Sequence, residues 1–93
     1  MSGDQPATGA RFVLTRCEVE DAAAIIYRGH VHLPAAMLPL EVRVELPGGA
    51  TRATLEGGTR ELESQAGALV RAATKSAVAD GVAPPRKIVR WRP

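Results

Sequence analysis

Between residues 40 and 46 the apolar and polar positions alternate strictly. Leu40, Val42, Val44 and Leu46 share one side and Glu41, Arg43 and Glu45 the other, as in a strand with one buried face. Pro47-Gly48-Gly49 supplies turn chemistry, since glycine reaches positive φ at little steric cost. A second alternation follows over 50–56, with Thr51, Ala53 and Leu55 against Arg52, Thr54 and Glu56, so the two strands read as a hairpin. Upstream, over 25–33, Ile25, Tyr27, Val31 and Leu33 oppose Ile26, Arg28, His30 and His32. The segment 11–19 is also strand-like but apolar on both sides. Val13, Thr15, Cys17 and Val19 lie on one, Phe12 and Leu14 on the other, and a turn is expected at Glu20-Asp21.

After Gly57-Gly58 the period changes from two to that of a helix. Thr59 is placed to cap its N-terminus, and Glu61 and Glu63 in the first turn complement the positive end of the helix dipole. Leu62, Ala66, Leu69, Val70, Ala73 and Ala77 form one apolar stripe, and Arg71, Thr74 and Lys75 are expected away from it. Gly81 is the expected residue just past the C-terminus, and Pro84-Pro85 prevents continuation. The elements predict an α+β fold in the order ββββα: an antiparallel sheet of about four strands packed on one amphipathic helix. Tyr27, Val31, Val42, Val44 and Leu55 face the helix and the other sheet face meets water. A small, partly closed barrel is the alternative arrangement. The boundaries are a disordered N-terminus over 1–10, a single domain over 11–83 and a basic tail over 84–93.

Ninety-three residues suit one domain. The apolar side chains are mostly Ala and Val, with Phe12, Tyr27 and Trp91 the only aromatics, so each buries little area and the stability belongs near the lower end of the ~5–15 kcal/mol range. Such a core leaves room for a homodimer. Cys17, the sole cysteine, has no internal disulfide partner, which fits a reducing compartment. The first ten residues lack the basic and apolar regions of a signal peptide, and no apolar run approaches the ~20 residues of a membrane span, so a cytoplasmic location is expected.

The motifs of common chemistries are missing or incomplete. His30 and His32 project from one strand face and are the candidate metal ligands, but zinc needs a third ligand, and Glu41 is the nearest in sequence while Cys17 is expected on the opposite side. Cys17 as a nucleophile with a histidine base is a weaker reading than a small buried side chain. Gly48-Gly49 and Gly57-Gly58 lack the lysine of a P-loop and the Rossmann spacing, so no cofactor and no catalytic residue is assigned. The outward sheet face of the four expected strands carries mixed charge and no aromatic, which argues against RNA stacked on it.

Charge placement carries more information. Arg86, Lys87, Arg90 and Arg92 put four cations and no acid in the last eight residues, against a chain total of +2, so residues 1–85 carry a net −2. With Ile88 and Trp91 among them, three readings stay open. The segment is a fifth strand along the sheet edge, a docking peptide for another protein, or a cationic contact to nucleic acid or an anionic membrane. The expected function is a non-enzymatic protein-interaction module, an accessory or adaptor protein. It acts through Arg86, Lys87, Ile88, Arg90, Trp91 and Arg92, joined by Met37 and Leu38 of the apolar loop 34–39. Deleting 86–93 is expected to leave the fold largely intact and to abolish partner capture. A nucleic-acid-binding protein using the same tail is the second expectation, and a metal-dependent enzyme built on His30 and His32 the third.

Overall fold

The chain runs β1 (Ala10–Cys17), β2 (Ala24–His32), β3 (Met37–Glu45), β4 (Thr51–Leu55), α1 (Arg60–Asp80) and β5 (Lys87–Arg92) in a computed structural model that describes residues 9–17, 23–46 and 48–92. All five strands form one antiparallel sheet in the order β4-β3-β2-β1-β5. The expected α+β architecture holds, and the fifth strand comes from the C-terminal segment. The disordered stretch expected over 1–10 falls, up to residue 8, outside the described residues, as does the turn at Glu20-Asp21; Ala10 is buried at the start of β1.

One sheet face packs on α1. Phe12 and Leu14 of β1, Tyr27 and Val31 of β2, Leu40, Val42 and Val44 of β3, Leu55 of β4 and Ile88 of β5 meet Ala66, Leu69 and Val70 of the helix. The alternation puts these residues on one side because successive strand side chains point to opposite faces. Gly29, between Leu14 and Leu40 in the ladder, lets β1 approach so closely that a Cβ there would overlap the Val13 carbonyl. The Thr59 side chain accepts the Leu62 N–H at 3.2 Å, and Gly81 ends the helix at φ 71°, so both caps lie where the pattern puts them. Thr74 does not lie away from the stripe: it is buried, because its hydroxyl donates to the Val70 carbonyl one turn back at 2.7 Å and so enters the core satisfied.

Two further findings bear on function. Loop 34–39 is shorter than expected: a turn tied by mutual bonds between Leu33 and Ala36 gives way to β3 at Met37, so Met37 and Leu38 are strand residues pointing to opposite faces. The C-terminal segment is anchored rather than free. The Tyr27 hydroxyl, deep under the sheet, donates to the Pro85 carbonyl at 2.6 Å. The Arg16 guanidinium donates to the Pro84 carbonyl at 2.6 Å, and the Arg16 N–H to the Arg86 carbonyl at 2.8 Å. No described helix is long and apolar enough to cross a membrane.

Candidate functional site

The open sheet face is defined by register. Met37 of β3 lies opposite His32 of β2, His32 opposite Arg11 of β1, and Arg11 opposite Trp91 of β5. One row thus crosses four strands, and at ~4.8 Å per strand Met37 and Trp91 stand about 14 Å apart. The next row is Pro39, His30, Val13 and Val89. Neither row contains an acid. The third row holds Glu41, Arg28, Thr15 and Lys87, with Arg28 and Glu41 paired at 2.8 Å, and Arg43 pairs with Glu45 at 2.7 Å still further along. Apolar and imidazole groups therefore collect at one end of the face and ion pairs at the other.

At the apolar end Trp91 is 57% exposed and Met37 52%. The Arg11 guanidinium carbon sits 5.4 Å from the Trp91 ring centroid, a cation–π arrangement that fixes one side of the indole and leaves it presented to solvent. The His30 and His32 rings meet edge-on with centroids 6.2 Å apart. His32 is only 9% exposed, and its Nδ1, like Arg11 Nε, is buried without a hydrogen-bond partner. Two unmet polar atoms in one row are unusual, because each costs about 1–3 kcal/mol relative to a paired group.

The residues singled out from sequence divide by strand parity. Trp91, Met37 and Lys87 reach the open face, and Arg86 is exposed at the bend before β5. Arg90 and Arg92 are exposed on the helix side of β5. Ile88 is 1% exposed and opposite Leu14, so it is core rather than contact. Leu38 likewise turns inward opposite Val31 and packs on the core. The outward face does carry an aromatic, contrary to the four-strand reading, because β5 adds Trp91 to it. Cys17 shares that face with the histidines but lies opposite Ile26, four residues or about 13 Å along the strand from His30. That distance separates it from both imidazoles as a base or as co-ligands. Among the described residues no three of His, Cys, Asp or Glu converge as a metal site. Arg11 was not singled out, since nothing in its local sequence distinguishes it; only the β1–β5 register places it beside Trp91.

Comparison with protein-family models, with curated proteins and with solved structures finds no match. The class defined by the geometry is a small α+β domain with one covered and one open sheet face.

Proposed function

We propose that this chain is a non-enzymatic protein-interaction module whose partner docks on the open sheet face at its Met37–Trp91 end. One observation carries the reading: the register brings the two large apolar side chains most exposed on the strands, from distant parts of the sequence, into a single row with Arg11 and His32 between them. Trp and Arg are enriched in binding hot spots, and an adaptable methionine at the far end of the row suits a protein surface. The C-terminal segment serves this role as a strand of the sheet rather than as a free arm.

The test uses immobilised full-length protein to capture a partner, whose affinity is then remeasured with both components purified. Met37→Ala with Trp91→Ala should weaken that affinity at least tenfold without changing the melting temperature, because both side chains are largely exposed. Unchanged affinity sinks the proposal.

A second reading has its own support. An exposed indole beside Arg11, His30, His32 and Lys87 suits a stacked base with nearby phosphates. It requires binding of oligo(dT) that weakens steeply with salt and is lost in Trp91→Ala.

A further inference from the structure

We infer that the free edge of β5 is a strand-addition site for an extended, acidic segment of a partner protein. The inference rests on the interaction-module reading and names the chemistry of the partner. Its basis is which backbone groups face outward. The bond from the Arg16 N–H to the Arg86 carbonyl sets the parity of the β1–β5 ladder. Residues 86, 88, 90 and 92 turn their backbone toward β1, and Lys87, Val89 and Trp91 turn theirs to the open edge.

The opposite edge of the sheet is treated differently. On β4 the bond from the Glu56 N–H to the Pro39 carbonyl leaves the Leu55 N–H pointing outward, and the Glu63 carboxylate of α1 accepts it at 3.0 Å. At β5 the outward Val89 carbonyl accepts from the Arg90 guanidinium at 2.8 Å, a contact made by a flexible, exposed side chain that an incoming strand can displace.

The side chains flanking the edge select the occupant. On the helix side, a groove of about 360 Å³ runs beside β5, floored by Ala68, Leu69, Ala72 and Ala73 and walled by the strand at Arg90, Trp91 and Arg92. On the open side stand Val89 and Trp91. An added strand would alternate accordingly, with carboxylates over Arg90 and Arg92 and apolar side chains against Val89 and Trp91. A nucleic-acid backbone offers phosphate acceptors to the outward N–H groups but no regularly spaced donors for the outward carbonyls. A second copy of β5 would bring cations against cations. Charged residues also guard an edge against unwanted pairing, but that role does not account for an exposed indole on the same strand.

The probe is an octapeptide of alternating Glu and Val, acetylated and amidated at its ends, titrated into the isotopically labelled full chain by NMR. Saturable shifts should centre on the Lys87, Val89 and Trp91 amides, and the affinity should fall in high salt. Val89→Pro removes an outward N–H while sparing the bonds to β1, and should weaken binding at least tenfold. Should that variant fail to fold, Arg90→Glu with Arg92→Glu, both on exposed side chains, should lose the Glu-Val peptide and gain a Lys-Val one. Absence of shifts at millimolar peptide, shifts indifferent to the folded variant, or the same shifts produced more strongly by oligo(dT) overturns the inference. If strand addition fails while Met37→Ala with Trp91→Ala still abolishes partner capture, the face reading stands alone; the reverse pattern removes the face and keeps the edge.

Discussion

Replacing Ile88 with alanine measures how far β5 belongs to the fold. The side chain is 1% exposed and lies in the layer formed with Leu14 against the helix-facing core. Truncation to alanine removes three carbons, about 0.8 kcal/mol each by transfer, and leaves a cavity whose walls relax only in part, so the expected loss is about 3 kcal/mol within the usual ~2–5 range. For a domain of this size each kcal/mol lowers the melting temperature by roughly 4–8 °C, which places the shift at about 12–24 °C. Urea unfolding followed by far-UV circular dichroism gives the free energy. Trp91, the sole tryptophan and three residues along the same strand, reports β5 separately by fluorescence. The two probes should trace one transition. A loss below about 1 kcal/mol, or a Trp91 transition that precedes the global one, would refute the claim that β5 is structural. By the same reasoning, removal of residues 86–93 takes away a core side chain and a whole edge ladder. The truncated chain should be unfolded or nearly so, contrary to the expectation for a free arm.

Tyr27, the only tyrosine, reports the anchor of the C-terminal segment. Burial pushes its phenol above the ordinary value of 10.0, opposed in part by Arg16. The folded state therefore holds the proton more tightly than the unfolded chain. The contribution of this group is constant below pH 10 and declines as pH rises from there through the folded value. Absorbance at 295 nm should give a midpoint above 10 in native protein, and Tyr27→Phe should flatten the stability profile in that window; a midpoint at or below 10 refutes the assignment. At neutral pH Tyr27→Phe should cost only about 0.5–1.5 kcal/mol by urea unfolding, since the freed Pro85 carbonyl belongs to an exposed residue that water can reach. Gly29→Ala should destabilise by about 1–3 kcal/mol, because the new methyl meets the backbone of β1 and not a side chain that can rotate away. A thermal melt unchanged from wild type would show that β1 yields.

The local patterns were readable because each element states its own case. Leu40 to Glu45 alternates without exception, and Thr59 and Gly81 mark the helix ends by capping chemistry that needs no tertiary information. Thr74 reads as a surface residue because its hydroxyl is polar, although a bond to its own helix makes it admissible to the core. The candidate site was legible only in pieces. Met37 and Trp91 stand out as residue types, but their place in one row depends on β5 lying beside β1 and on the register Arg11↔Trp91, which no local signal specifies. Ile88 and Leu38 read as contacts in sequence because the parity of a strand is invisible until its neighbour is known.

The inequivalence of the two sheet edges follows from the helix. With three antiparallel strands between them, β4 and β5 run parallel at opposite edges, so the chain must cross the sheet to connect them. The helix starts over β4, where the Glu63 carboxylate in the first turn accepts the outward Leu55 N–H and covers that end of the edge. Its last turn stays on the β4 side, where Val78 lies against Gly49, and residues 81–86 complete the crossing, with Pro84 and Pro85 tied to Arg16 and Tyr27 before β5 begins. The helix residues beside β5 are Ala68, Leu69, Ala72 and Ala73, none with a polar side chain that could cap the strand as Glu63 caps Leu55. The strand therefore guards its own edge, with the Arg90 guanidinium on the outward Val89 carbonyl and exposed cations at Lys87, Arg90 and Arg92.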